Sequence, residues 1–471
     1  LILKLTESTN LPLNTMKKPL SLSSDTKYGS QSGRPEPART IKEYTTLPAR
    51  LESDISRRIE YLAKMLAIVL TTIVFANLFL IKQSFAQPVT VTPGTGQWTI
   101  PAGVTSVKAE AWGGGGGGGA AKGFIFVGRG GGGGGGSYST TSWTNLTPGN
   151  SLTLSLGAGG SGGSESSGGP GGTSNVTGPT TINAPGGNGG GYGDFRNGSG
   201  GSGGSGGTGS TTYNGGNGAQ STTGNSGAGG GGAGNGGNGD NASGSTGGSG
   251  GIGSSVGGVP GGNGAAGVAS TNSGINGTAP SGGGSGGRSG YGLQNGGNGA
   301  AGLIRLTYCV APTSASASPD EICQNSVGTI TLTATGGAGS ELRWYSGSCG
   351  DIEIGTGTSL QIEYPESTTT YYARWESDLC PPSGCVSVTV TVNALPSTPT
   401  GITAAPAAIC SGSSSTISVN NPGTGYTTDW FTGSCGGTPV EGGTGQNSVL
   451  VSPSATTTYY ARTRNTSTGC I

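Results

Sequence analysis

Histidine is absent from all 471 residues of the chain. Proton transfer in catalysis wants an imidazole, or a carboxylate with a shifted pKa, within reach of the substrate. Residues 113–302 hold most of the chain's 104 glycines but only three carboxylates, Glu165, Asp194 and Asp240. That scarcity predicts a protein that is not an enzyme and uses no cofactor. Cysteine is the reactive side chain that remains. All eight cysteines lie from Cys309 onward: Cys309, Cys323, Cys349, Cys380, Cys385, Cys410, Cys435 and Cys470. Their spacings lack the paired CxxC signature of a zinc site, and no imidazole is available as a ligand. Disulfides in an oxidising compartment are the expected use, and no metal is expected.

Three strings imitate other chemistry. GxGxxG recurs in the glycine tract through composition alone and never follows a strand within a βαβ unit, so it predicts no nucleotide site. Arg129-Gly130-Gly131 is a lone RGG. The run 236–240 (GGNGD) resembles a calcium-binding nonapeptide, but its Asp falls one place early and is not repeated. Charged residues make up 9% of the chain and the formal net charge is +0. Such a chain has no electrostatic footprint for nucleic acid or for an anionic membrane surface. Any membrane contact is expected only through the apolar N-terminal segment described below.

The cysteines are positioned by an internal repeat. Cys323 precedes TITLTAT, Arg343-Trp344-Tyr345-Ser346-Gly347-Ser348-Cys349 follows, and then come TTTYYAR (368–374), Cys380 and Cys385. In the second copy, Cys410 precedes STISV. Asp429-Trp430-Phe431-Thr432-Gly433-Ser434-Cys435 follows, then TTTYYAR (456–462) and Cys470. Short alternating strands around a Trp predict a β-sandwich in each copy, with Trp344 and Trp430 in the cores. Strand order then suggests pairings. Cys323 stands just before the second strand and Cys349 just after the third, which brings both to one end. Cys380 and Cys385 flank a late turn at the other. The expected bridges are Cys323–Cys349 and Cys380–Cys385, with Cys410–Cys435 by analogy. Cys470 is expected to pair beyond Ile471. Cys309 is left unpaired, unless it joins Cys470 or another molecule.

At the other end of the chain, residues 1–64 are polar and mixed, an extension predicted to be disordered or upstream of the true start. Residues 66–81 (LAIVLTTIVFANLFLI) are apolar, follow Arg57, Arg58 and Lys64, and precede Ser84-Phe85-Ala86. That arrangement predicts a signal peptide over residues 65–86. Sixteen residues rise only about 24 Å as a helix, short of a bilayer core of about 30 Å. An uncleaved anchor is the alternative.

The glycine tract is framed by strand-like segments. In QWTIPAGVTSVKAEAW (97–112), Val107, Ala109 and Ala111 alternate with Lys108 and Glu110, which predicts one buried and one wet face. SLTLSL (151–156) and LIRLTY (303–308) alternate likewise. Glycine has no side chain to bury and loses the most backbone entropy on folding. Two outcomes are open: a disordered linker, or chains packed backbone to backbone as polyproline-II-type helices with three residues per turn. The sequence favours the second. Residues 200–209 read GGS-GGS-GGT-G, and GGNG begins at Gly186, Gly215, Gly236, Gly261 and Gly296. Collagen is excluded because the triplet is not sustained.

These residues carry two resemblances. QWTIPAGVTSVKAEAWGGGGGGG, GGGGGGSYSTTSWTNLTPGNSLTLSLGAGG and GGNGAAGLIRLTY resemble the glycine-rich domain of bacterial surface proteins and phage tail-fibre tip adhesins, over about residues 94–308. The resemblance implies a layered polyglycine-II bundle whose end loops contact a receptor. It makes Tyr192, Phe195, Tyr213 and Tyr291 contact candidates, with capping of the bundle ends as their alternative role. SGSCG…TTTYYAR…C resembles the Ig-like repeats of large secreted Bacteroidetes proteins, which act as spacers. The fold class expected is therefore mainly β: a small β framework with a polyglycine-II bundle (87–311), one Ig-like repeat (312–394) and a second, incomplete one (395–471). The function expected is a secreted or cell-surface structural or adhesive protein that meets a surface receptor, glycan or extracellular-matrix component. The front end of a polysaccharide-degrading enzyme and an ice-binding protein are the competing readings.

Overall fold

The computed structural model describes residues 87–471. The N-terminal extension and the expected signal peptide lie outside the described residues. Among the described residues every regular element is a β-strand.

The glycine-rich region begins and ends in a two-sheet framework. One sheet orders its strands Val89–Val91, Leu303–Tyr308, Val107–Trp112, Tyr138–Trp143 and Thr211–Tyr213. The other orders Gly96–Thr99, Ser151–Ser155, Ser174–Thr177 and Thr181–Ala184. Val107, Ala109, Leu152, Leu154, Val176, Ile182, Ile304 and Leu306 form the core between them. The alternation in the three framing segments placed Val107, Ala109, Leu152, Leu154, Ile304 and Leu306 correctly; Val176 and Ile182 come from two strands the sequence reading did not single out.

The opposite face of Val107–Trp112 departs from expectation. Glu110 is not wet but fully buried. Arg305 Nε donates to its Oε2 at 2.6 Å, the Tyr138 hydroxyl donates to Oε1 at 2.9 Å, and Asn235 Nδ2 donates at 3.2 Å. Lys108 Nζ stands 3.7 Å away. Beside it Trp112, Tyr138 and Ala233 make a second small core. The sheet is thus covered on both faces, and the glycine tract supplies the second cover.

Within the tract, backbone hydrogen bonds repeat every third residue. In the run 113–119, the amides of Gly114 and Gly117 donate to Gly172 and Gly169. Those of Gly115 and Gly118 donate to Ala300 and Gly297, and those of Gly116 and Gly119 to Gly134 and Gly131. Its carbonyls accept from three other runs in the same rhythm: Gly160 and Gly163, Gly187 and Gly190, Gly284 and Gly287. The run 130–136 is surrounded in the same way. Each of these runs is seven uninterrupted glycines, because neighbours occupy every side. A Cβ on Gly132 would overlap the carbonyl of Ala228, and one on Gly118 that of Ser285.

Peripheral runs have a free side, and there every third residue bears a side chain. This accounts for GGNG. Asn217, Asn238, Asn263 and Asn298 each turn Oδ1 onto an amide of an adjacent run, those of Gly203, Asn214, Gly250 and Gly162, at 2.7–2.8 Å. The amide side chain replaces the missing neighbour and satisfies a donor that would otherwise lack a partner.

The first Ig-like repeat packs Ser314–Ser318, Thr329–Thr335 and Ser359–Glu363 against a second sheet. That sheet is ordered Glu321–Cys323, Val386–Asn393, Thr369–Glu376, Glu341–Ser346, Ile352–Thr356. Trp344, on Glu341–Ser346, is fully buried, donating Nε1 to the Gly357 carbonyl at 3.0 Å. The second repeat packs Thr403–Ala405, Ser415–Ser418 and Ser448–Val451 against Thr438–Thr444, Tyr426–Thr432 and Tyr459–Asn465. Trp430 is its core aromatic.

The disulfides differ from the expected ones. Cys309 bonds Cys380, Cys323 bonds Cys470, and Cys349 bonds Cys385. Cys323–Cys349, Cys380–Cys385 and Cys410–Cys435 do not form, and Cys410 and Cys435 are free and exposed. The reasons are positional. Cys323 does not sit at the mouth of its neighbouring strand. It belongs to a short strand paired in parallel with Val386–Asn393, level with Asn393. Cys380 and Cys385 do not flank a tight turn, because residues 377–385 form a long connection. Cys380 on that connection reaches the end of the glycine-rich region, where Ser106 Oγ also donates to the Pro382 carbonyl at 2.6 Å. Two of the three bridges therefore join successive modules.

Candidate functional site

Exposed side chains gather at one end of the glycine runs. The glycine runs lead away from the framework strands into a small sheet. Ala121–Gly123 pairs in parallel with Gly193–Asp194 and antiparallel with Gly292–Gln294. Gly128–Arg129 pairs with Arg288–Ser289 alongside. Cys309 and the first Ig-like repeat adjoin the opposite ends of the framework strands Val107–Trp112 and Leu303–Tyr308, since Thr307 pairs with Lys108 and Leu303 with Trp112. The small sheet is thus at the far end of the runs from the Ig-like repeats.

Its loops converge on one apolar tip. Phe124, Ile125 and Phe126 are 61%, 77% and 68% exposed, and Tyr291 is 77% exposed. The rings of Phe124 and Tyr291 lie 6.0 Å apart, tilted by 59°. Phe195 follows the strand Gly193–Asp194, its amide facing the Lys122 carbonyl at 3.4 Å. It holds φ of 53°, a left-handed conformation that costs an L-residue roughly 1–2 kcal/mol. Exposed aromatics gathered on adjoining loops, rather than scattered singly, mark an interaction surface.

Cations stand behind the tip. Arg129 and Arg288 are cross-strand partners, and the Nε of each is buried without a hydrogen-bond partner. Burial, and then the Arg288 charge, lower the Arg129 pKa. Lys122 stands 4.0 Å from Glu165. Tyr192 is half-buried next to Gly193, and burial followed by the charges of Asp194 and Glu165 raises its pKa.

Of the four contact candidates, Tyr192 and Phe195 flank Gly193–Asp194 and Tyr291 precedes Gly292–Gln294, the two strands that pair with Ala121–Gly123. Tyr213 does not. It stacks on Tyr138, ring centroids 5.9 Å apart, in the small core beside Trp112 at the framework end. Sequence reasoning missed Phe124, Ile125 and Phe126. The signal was present: residues 124–127 are four consecutive apolar residues between Gly123 and Gly128.

Residues 90–309 match the family described as a glycine-rich domain. Residues 310–394 and 396–471 match the Ig-like domain described as CHU_C associated. No curated protein matches the chain. Among solved structures it is similar to the human OSCAR ligand-binding domain, at 13% identity and a TM-score of 0.17, over 34% of this chain and 92% of that one. Strand-framed glycine runs over residues 90–309 and the two β-sandwiches that follow thus carry matching family assignments, a glycine-rich domain joined to CHU_C-associated Ig-like domains.

Proposed function

We propose that this chain is a non-catalytic adhesive protein, exported and held at the cell surface, that presents the Phe124–Tyr291 tip to a receptor. Glycine-rich and Ig-like domains together make a structural or surface module, and three disulfides suit an extracellular setting. The glycine runs act as polyglycine-II helices. Their three-residue hydrogen-bond rhythm supports that reading, since a helix with three residues per turn aims successive amides in three directions. At about 3 Å per residue, the run between Trp112 and Ala121 holds the tip roughly 28 Å beyond the framework. The Ig-like repeats act as the stalk.

The observation that carries the proposal is the clustering of exposed aromatics at the far end of this rod. The partner is a surface receptor, glycan or matrix component bearing apolar and anionic groups. Binding of the full chain to a glycan and lipopolysaccharide array tests it. The triple variant Phe124→Ser, Ile125→Ser, Phe126→Ser is expected to lose about 2 kcal/mol or more, roughly thirty-fold in affinity. Tyr213→Ala is expected to bind as the parent does. Equal binding by the triple variant and the parent would remove the tip from the proposal.

A further inference from the structure

The glycine tract keeps its positive charge at one end. Residues 113–302 contain four cationic side chains, Lys122, Arg129, Arg196 and Arg288. All four stand at the tip, on its strands or loops. Lys122 is on Ala121–Gly123, and Arg129 and Arg288 are cross-strand partners. Arg196 follows Phe195, and its carbonyl accepts from the Arg129 amide at 3.4 Å. Two of the tract's three carboxylates are here as well, Asp194 on its strand and Glu165 at 4.0 Å from Lys122. Four cations thus face two carboxylates, a local excess that the balanced charge of the whole chain conceals.

The charges form a second tier behind the apolar residues. Residues 124–127 (FIFV) connect Ala121–Gly123 to Gly128–Arg129 and bear only apolar side chains. Lys122 and Arg129 are each two residues from the ends of this loop, about 7 Å along a strand. A protein surface lying in a bilayer interface buries its apolar side about 5–10 Å and keeps its cations among the headgroups. The tip has that order and that depth. An interface with another protein sets its polar groups in a rim around an apolar centre instead. A second copy of this chain is disfavoured, because its tip would bring the same positive excess. Arg129 and Arg288 already repel one another across their strands, and a phosphate placed against them offsets that repulsion.

From this we infer that the tip docks onto a bilayer carrying anionic phospholipid. Phe124, Ile125 and Phe126 enter the boundary between headgroups and acyl chains, and Lys122, Arg129, Arg196 and Arg288 meet the phosphates. Tyr291, exposed beside Phe124, suits the same boundary, with an apolar ring and a polar hydroxyl. The inference rests on the proposal that the tip is the contact surface, and it names anionic lipid as the surface receptor.

The substitution Phe126→Trp in the full chain tests it, because the added fluorescence reports on the tip alone, whatever the apolar N-terminal segment does. The vesicles are brominated phosphatidylcholine, either pure or mixed with phosphatidylglycerol. Quenching of the added fluorescence is expected at about thirty-fold less lipid on the mixed vesicles, since each of two net charges contributes about a factor of five. Lys122→Gln with Arg196→Gln, both at exposed positions, is expected to bring the two vesicle types within about three-fold of each other. Phe124→Ser with Ile125→Ser is expected to raise the lipid requirement at least about ten-fold on both. Absent quenching on the mixed vesicles, equal lipid requirements for the two types, or an unchanged preference in the charge variant would each overturn the inference. Where quenching is absent but the triple Ser variant still loses its binding on the array, the tip remains the contact surface and the lipid alone is ruled out.

Discussion

Gly132→Ala lowers the stability of the glycine-rich region by about 3 kcal/mol or more, at the upper end of overpacking effects. The added methyl has nowhere to go. Its neighbour is the main-chain carbonyl of Ala228, which cannot rotate aside as a side chain can. Relief requires the two runs to separate, and the run 130–136 is bonded on all sides, so parting one pair strains the others. Gly118→Ala, aimed at the Ser285 carbonyl, behaves alike. Gly224→Ala is the control: a Cβ there has no heavy atom within 4 Å, and its effect stays within about 1 kcal/mol. Urea unfolding followed by amide exchange reads all three. Equal effects at Gly132 and Gly224 would show that backbone packing does not hold the region together.

Glu110→Ala costs about 3–5 kcal/mol, the usual penalty for removing one partner of a buried ion pair. It leaves the Arg305 guanidinium, 13% exposed, without its carboxylate, and strips the Tyr138 hydroxyl of its acceptor. Burial alone would raise the Glu110 pKa. The Arg305 hydrogen bond and charge, aided by Lys108 and Asn235, outweigh it and hold the carboxyl below its usual value near 4.5. A carboxyl depressed on folding contributes stability that is fully present above its unfolded pKa. That contribution fades as pH falls from about 4.5 through the lower folded value. Glu110→Gln should therefore flatten the acid limb of the stability curve, measured by urea midpoints between pH 6 and about 2. An acid limb as steep as the parent's would assign the linkage to other carboxylates.

What the sequence disclosed depended on whether the cause was local. Alternation in residues 107–112, 151–156 and 303–308 reports a two-sheet core because one face of each strand meets the other sheet. Seven unbroken glycines at 113–119 and 130–136, against GGN and GGS elsewhere, already separate enclosed runs from peripheral ones. Trp344 and Trp430 are where their strands imply. Glu110 misled because the layer that buries it comes from residues more than a hundred positions away, Asn235 among them. The cysteines misled for a similar reason. Cys380 and Cys385 are neighbours in sequence, yet one turns to the glycine-rich region and the other to its own repeat. The tip was half legible: Phe195 and Tyr291 stood out as bulky residues in the tract. Grouping them with residues 124–127 needed the pairing of Ala121–Gly123 with two distant strands.

A region held together by peptide groups rather than by hydrocarbon has an unusual thermal consequence. Unfolding ordinarily raises heat capacity because newly wetted apolar surface outweighs newly wetted polar surface, whose contribution has the opposite sign. Melting the runs around residues 113–119 and 130–136 hydrates mostly amides and carbonyls. The heat-capacity increment per residue there should fall well below the usual 12–15 cal/mol/K. Its free-energy curve would be nearly straight in temperature, without the dome that makes most proteins fail in the cold as well as in the heat.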